Sequence, residues 1–131
     1  MIDPLAGFEP AHFVVELEQT PTPEGISSRL ADCQTKRNQV VTKLQELTGQ
    51  LEYKSALLKI EKAQAMQGTA GTVAQREAEV EIACAASIKE IAQIKSGTKI
   101  LGHLLENLNS IQVALSSQLK ALSIQVDLTR T

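Results

Sequence analysis

The sequence predicts an all-α fold: a long, coiled-coil-like antiparallel helical hairpin that follows a short N-terminal extended or β arm and assembles as a homo-oligomer. Two long segments repeat apolar residues at alternating steps of four and three, the heptad pattern of packed helices. A short Gly/Thr-rich stretch separates them. Aromatic residues make up only 2% of the chain and Trp is absent, whereas a compact globular core usually draws much of its buried area from aromatic rings. Elongated helices packed through aliphatic side chains are therefore favoured over a globular α/β fold.

Residues 1–22 are predicted to form the arm. Within it the stretch HFVVELE, residues 12–18, places Phe13, Val15 and Leu17 at every second position, which is typical of a β-strand. A single strand is not stable alone. It either pairs with a strand of another subunit or remains an extended segment that covers a hydrophobic groove, and the pattern weighs these alternatives equally. Both place its three apolar side chains at a packed surface, so we assign them to the oligomer interface.

Helix one is predicted to span residues 23–67. Thr22 has the side chain of an N-cap, Pro23 fits the first helical position, and Glu24 lies near the positive end of the helix dipole. The apolar seam, meaning the heptad-spaced stripe that faces a partner helix, is interrupted by Arg37, Lys54 and Glu61. Its apolar members are Ile26, Leu30, Cys33, Val40, Leu44, Leu47, Leu51, Leu58 and Ala65.

A turn is predicted at residues 68–72, because Gly68 and Gly71 both disfavour a helix interior. Thr72 and Gln75 have the spacing of a capping box, which starts helix two at about residue 73 and lets it run to about 129. The seam of helix two continues through Val80, Cys84, Ile91, Ile94, Leu101, Leu105, Leu108, Leu115, Leu119, Leu122 and Val126.

A turn this short forces helix two to run antiparallel to helix one. A turn centred near residues 69 and 70 places Ile26 beside Val113, so residues 114–129 extend beyond the start of helix one. That overhang is on the order of 20 Å of apolar helix. It requires cover from the arm or from another subunit, and we favour homo-oligomerisation. The predicted interface residues on this overhang are Leu115, Leu119, Leu122 and Val126.

The sequence offers little catalytic chemistry. No Ser/His/Asp arrangement, phosphate-binding loop or metal-ligand spacing is found, so we expect a non-enzymatic protein without cofactor or metal. Cys33 and Cys84 fall on the seams and are expected to be small buried hydrophobes in a reducing compartment. With no leader sequence and no apolar run of about 20 residues, the chain is expected to be cytoplasmic and without a membrane partner.

The basic residues carry the strongest functional signal. The net charge of -2 divides unevenly, because residues 1–24 hold five acidic and no basic groups, while the rest holds 13 basic and 10 acidic ones. Arg29, Lys36 and Lys43, the basic flank, recur every seven residues beside the seam of helix one, with Lys54, Lys59 and Lys62 further along. These six are the predicted nucleic-acid-binding residues, since such a stripe can follow a phosphate backbone. The alternative is a solvated flank that pairs with Asp32 and Glu46 or with acidic residues on another helix.

A resemblance adds to this interpretation. The segments LEYKSALLKIEKAQA, VAQREAEVE and LSSQLKAL, together with the intervening Gly/Thr turn and the Ile/Leu-rich stretch, resemble small helical recombination-mediator proteins of tailed phages over residues 51–122. The resemblance implies an oligomeric accessory that binds single-stranded DNA in the host cytoplasm and helps to load a recombinase onto strands displaced from a single-strand-binding protein. The alternative is a structural or adaptor coiled-coil protein that binds only other protein chains.

Overall fold

The computed structural model describes residues 3–17 and 21–130, except for the side chain of Arg130. Within this part of the chain all regular structure is helical, as the heptad pattern predicted. A 3-10 helix at Pro10–Phe13 precedes three α-helices: α1 (Pro23–Gln67), α2 (Val73–Ala83) and α3 (Ala85–Arg130).

The chain divides into two compact units, to which α1 and α3 both contribute. The turn unit comprises Met1–Ala6 and Gln45–Lys99, and the terminal unit comprises Gly7–Leu44 and Ile100–Thr131. We describe each by its own contacts.

Both predicted helix starts are confirmed by their caps. The amide of Gly25 donates to the Thr22 hydroxyl at 3.1 Å, so α1 begins where the Thr-Pro-Glu sequence predicted. At the start of α2 the Gln75 amide donates to the Thr72 hydroxyl at 3.3 Å, and the Gln75 side chain accepts from the Thr72 amide at 3.2 Å. This is the complete capping box.

The turn between α1 and α2 depends on one left-handed glycine. Gly71 has φ +120°, and a Cβ there would lie 2.8 Å from Oε1 of Gln75. Only glycine adopts this conformation without strain. Arg76 secures the same turn, because its Nη2 donates at 2.9 Å to the carbonyl of Met66 in the last turn of α1.

In the turn unit, the second part of α1 packs antiparallel to α2 and the beginning of α3. Gly97 is buried and permits a close approach, since a Cβ there would lie 3.3 Å from Cγ of Pro4 and 3.4 Å from Cδ1 of Leu47. The arm's first residues therefore pack on α3 in this unit. The buried hydrophobic side chains are Leu47, Val80, Cys84, Ile91 and Ile94.

The terminal unit pairs the first part of α1 with the second part of α3, and its register corrects the predicted one. The Cys33 thiol lies 3.2 Å from the carbonyl of Leu108, two residues later than expected. Leu115 is consequently fully buried, as is Ile26, while Val113 is 67% exposed. Leu115 thus belongs to the core and not to an overhang. The buried side chains of this unit are Val15, Ile26, Cys33, Val40, Leu101, Leu108 and Leu115.

The predicted strand at residues 12–18 is wrong for the residues described, and Glu18 lies outside them. Pro10 opens a 3-10 helix in which the His12 amide donates to the Glu9 carbonyl at 3.1 Å. The ring of Phe13 stacks on that of Phe8, with centroids 4.1 Å apart. Residues 14–17 are not in regular structure. Proline at the first position and the stacked rings favour the helical turn, because the arm's backbone has no neighbouring strand in the described chain.

The predicted second helix is divided at Cys84, which has φ -98° and ψ 9°. Backbone hydrogen bonds nevertheless run from Cys84 to Val80 at 2.9 Å and from Ile88 to Cys84 at 3.0 Å. The interruption is therefore one residue wide, and the apolar seam continues across it.

Candidate functional site

The basic flank holds the N-terminal arm. The Arg29 guanidinium donates to the carbonyl of Glu16, and Lys36 Nζ donates to the carbonyl of Val14 at 3.2 Å. Lys36 also pairs with Asp32 at 3.1 Å. Between the two gripped carbonyls, Val15 is 5% exposed. The arm is thus an extended segment packed on α1, the second of the two alternatives that the sequence left open.

An open groove runs beside this contact. It has a volume of about 600 Å³ and is lined by Val14, Val15, Glu16, Gly25, Ser28, Arg29 and Asp32. Its acidic residues lie beside Arg29, so the part of the basic flank nearest the arm is not a purely cationic surface.

The remaining predicted cations differ in their surroundings. Lys43 is half-buried, and Lys54 forms an ion pair with Glu90 in which the two side chains are 30% and 27% exposed. Lys59 and Lys62 are exposed one turn apart on α1. Arg29, Lys36 and Lys43 belong to the terminal unit, and the other three belong to the turn unit.

Polar residues in the α1 seam meet polar partners. At Lys54 this is the pairing with another helix that the sequence left open, whereas Arg37 and Glu61 stood there only as interruptions of the seam. Lys54 pairs with Glu90, and Glu61 accepts a hydrogen bond from the Ser87 hydroxyl at 2.9 Å. In the terminal unit, Arg37 Nε donates to Oδ1 of Asn109 at 2.8 Å. The signal was available, because charged residues at seam positions require such partners.

Arg37 opens into a second groove, which we call the polar groove. It has a volume of about 600 Å³ and lies within the terminal unit. Its lining residues are Arg37, Asn109, Gln112, Val113, Ser116, Ser117 and Lys120.

The predicted interface residues fall into two groups. Val15 and Leu115 are buried within the chain, and Phe13 is half-buried against Phe8. Leu17 is 45% exposed. The last turns of α3 carry the second group, which we call the apolar tail: Leu119, Leu122 and Val126.

The apolar tail lines a groove of about 320 Å³ together with Pro23, Ser123 and Asp127. Leu119 and Leu122 are half-buried, whereas Val126 is 45% exposed. Ile124 and Leu128, on the same turns, are 51% and 71% exposed. Pro23 is the first residue of α1. The last turns of α3 therefore continue beyond the N-terminal end of α1, the helix on which α3 packs.

Both cysteines are free and buried, as the seam predicted. Burial raises the pKa of the Cys33 thiol, as does the nearby Asp32 carboxylate, while Lys36 and Arg37 oppose this effect. The raised pKa disfavours the reactive thiolate form of this buried cysteine. Among the described residues no cluster of three or more His, Cys, Asp or Glu could hold a metal ion.

The charges are nearly balanced in each unit. The turn unit contains eight acidic and seven basic residues, and the terminal unit contains seven acidic and six basic residues, so each carries a formal charge of -1. The positive charge that the sequence assigned to residues 25–131 lies in the terminal unit, where this part of the chain holds six basic and three acidic residues, and the acidic residues of the arm offset it. In the described part of the chain, no helix is both long and apolar enough to cross a membrane.

Comparison of the chain with models of protein families, with curated proteins and with solved structures gives no match.

Proposed function

We propose that this chain is a non-enzymatic protein that assembles with copies of itself through the apolar tail. The observation that carries the proposal is the extension of α3 to Arg130, past the residues that face Pro23, with Val126 exposed. A helix end without a packed neighbour is marginal in water. Full burial of one Val or Leu side chain contributes roughly 1.5–3 kcal/mol. A second copy of the same tail supplies the missing apolar surface.

Light scattering tests this assembly. The wild type should have a mass well above the 14.2 kDa of one chain, and Leu122→Glu/Val126→Glu should reduce the mass, because charged groups do not bury without partners. Ile82→Glu is the matched control, since Ile82 is 77% exposed on α2 and lies outside the tail. A wild type that is monomeric at every concentration contradicts the proposal.

We further propose, as a second candidate, that the assembled protein binds single-stranded DNA as a phage-type recombination mediator, with a recombinase and a single-strand-binding protein as partners. The exposure of Lys59 and Lys62 on one face of α1 supports it, together with the resemblance of residues 51–122. Each phosphate contact is weak, but an oligomer repeats it in every subunit. The protein-only adaptor is the competing function, and the charge of -1 on each unit favours it.

Binding of a labelled single-stranded oligonucleotide separates these functions. A mediator should bind at about 50 mM salt and lose most of its affinity by about 200 mM. Lys59→Glu/Lys62→Glu should weaken binding more than Lys95→Glu/Lys99→Glu, which removes two exposed cations from α3. If the wild type fails to bind at low salt, the adaptor function replaces the mediator.

A further inference from the structure

Arg37 is a seam cation whose partner does not neutralise it. In the turn unit the corresponding seam residue, Lys54, faces the carboxylate of Glu90. Arg37 instead donates one N–H to Asn109, a neutral amide, at 2.8 Å. A guanidinium has five N–H donors and keeps its charge at all ordinary pH values. The contact with Asn109 orients the group at the edge of the polar groove and leaves its positive charge uncompensated by that partner.

The polar groove adds a second cation and several donors. Lys120 also lines the groove, as do Ser116, Ser117 and Gln112, whose hydroxyl and amide groups are hydrogen-bond donors. Among the described residues, none that lines this groove is acidic. The α3 residues of the lining begin at Asn109 and end at Lys120, which is about 16 Å along a helix. Two cations and neutral donors along one open face attract an extended anion.

We propose that the polar groove binds the phosphodiester backbone of single-stranded nucleic acid. This inference rests on the second candidate function. It assigns a binding site to Arg37 and Lys120 in addition to the exposed Lys59 and Lys62, and in place of the predicted basic flank. The planar guanidinium matches the oxygens of a phosphate, and Lys120 acts as a compact charge for a neighbouring phosphate. The hydroxyl and amide donors suit the remaining oxygens.

The predicted basic flank suits this task less well. Arg29 and Lys36 already donate to the carbonyls of the arm, and Glu16 and Asp32 line the groove beside them. A strand that bound there would have to displace the arm and expose Val15. The polar groove requires no such displacement.

The lining also predicts the kind of recognition. Within the described part of the chain the groove's lining contains no aromatic side chain, and the apolar side chain in it, Val113, is 67% exposed. Without a ring on which bases stack, binding depends on backbone charge and is independent of sequence.

The test is binding of a labelled oligothymidylate to the full-length chain at several salt concentrations. Arg37→Gln/Lys120→Gln should bind about tenfold more weakly at about 50 mM salt, and its log-affinity slope against log salt should be shallower by about 0.7 for each lost contact. Glutamine at position 37 can still donate to Asn109. Lys95→Gln/Lys99→Gln, which removes the same charge from exposed positions in the turn unit, is the matched control.

Two further variants distinguish a loss of binding from a loss of folding. Lys120→Gln alone changes an exposed residue, so it should retain the melting temperature of the wild type and still weaken binding. Lys120→Arg keeps the charge and should bind as the wild type does. If the wild type binds but the groove variants match the control pair in affinity and salt slope, the groove is refuted and DNA binding stands. If the wild type does not bind at low salt, both are refuted.

Discussion

The ion pair between Lys54 and Glu90 should stabilise the turn unit mainly by preventing an unpaired charge. We expect Lys54→Met and Glu90→Met to lower the free energy of unfolding when made separately, because each leaves one half-buried charge without its partner. The double variant places two apolar side chains opposite each other, with position 54 on the seam of α1. It should therefore regain most of the loss.

The exposure of the two side chains sets the magnitude. Fully buried pairs lose about 3–5 kcal/mol when one partner is removed, while exposed pairs contribute about 0.2–1 kcal/mol. With 30% and 27% of their side-chain surface exposed, Lys54 and Glu90 lie between these limits. We expect each single variant to lower the free energy of unfolding by about 1–2 kcal/mol. The coupling energy between the two side chains should be about 1 kcal/mol, because solvent screens a pair that is partly exposed.

Urea unfolding of all four proteins at one fixed protein concentration measures the coupling, because self-association would otherwise shift the midpoint. Lys36 and Asp32 form the control cycle: their pair joins adjacent turns of one helix, and the Asp32 side chain is 53% exposed. Its coupling should be only about 0.3–0.5 kcal/mol. Strictly additive effects of Lys54→Met and Glu90→Met would refute the reasoning.

Three other perturbations have signs that follow from the structure. Gly102→Ala should raise the free energy of unfolding by about 0.5–1 kcal/mol, since an added Cβ meets nothing within 4 Å in the helix. Gly71→Ala should lower the free energy of unfolding. Thermal melts of both variants measure the difference. Val15→Ser should lower stability by about 1–3 kcal/mol in urea titrations, because it places a hydroxyl in a buried position, and unchanged unfolding would mean that the arm is not packed. Because the pKa of Cys33 is raised in the folded protein, the thiol of the unfolded chain ionises at a lower pH than that of the folded chain. The free energy of unfolding is therefore unaffected by this thiol below pH 9.0 and falls as the pH rises above it. The wild type should then lose more stability than Cys33→Ala between about pH 8 and pH 10, and equal losses would contradict this assignment.

The start and end of α1 and the start of α2 could be predicted from the sequence because local chemistry sets them, whereas the division at Cys84 was not predicted. Thr22 and Thr72 each cap a helix at the residue that the pattern indicated. The end of α1 at Gln67 coincides with the predicted one, since Gly68 begins the turn. Such features need only a few neighbouring residues.

Features that depend on contacts between distant residues could not be predicted from the sequence. The alternation at Phe13, Val15 and Leu17 indicated a strand, but Pro10 and the stacked Phe8 ring favour a helical turn. A two-residue difference in register moved Leu115 from the predicted overhang to the core. Heptad spacing alone does not specify which turn of one helix faces which turn of the other.

The candidate site could also be predicted only in part from the sequence. The exposed positions of Lys59 and Lys62 agree with their place beside the seam. Arg37 was visible as a polar residue in an apolar stripe, but its contact with Asn109 joins residues 72 positions apart. No short-range pattern reports such a pair.

The way the arm is held has a consequence for evolution. Arg29 and Lys36 grip main-chain carbonyls, which every residue type provides, and the arm's own side chain in the contact is that of Val15. Mutations at Val14 and Glu16 therefore leave both main-chain acceptors in place. Selection on this segment should then act on Val15 and on the two basic residues. The exposed side chains of the arm are left to diverge or to acquire new contacts without loss of docking.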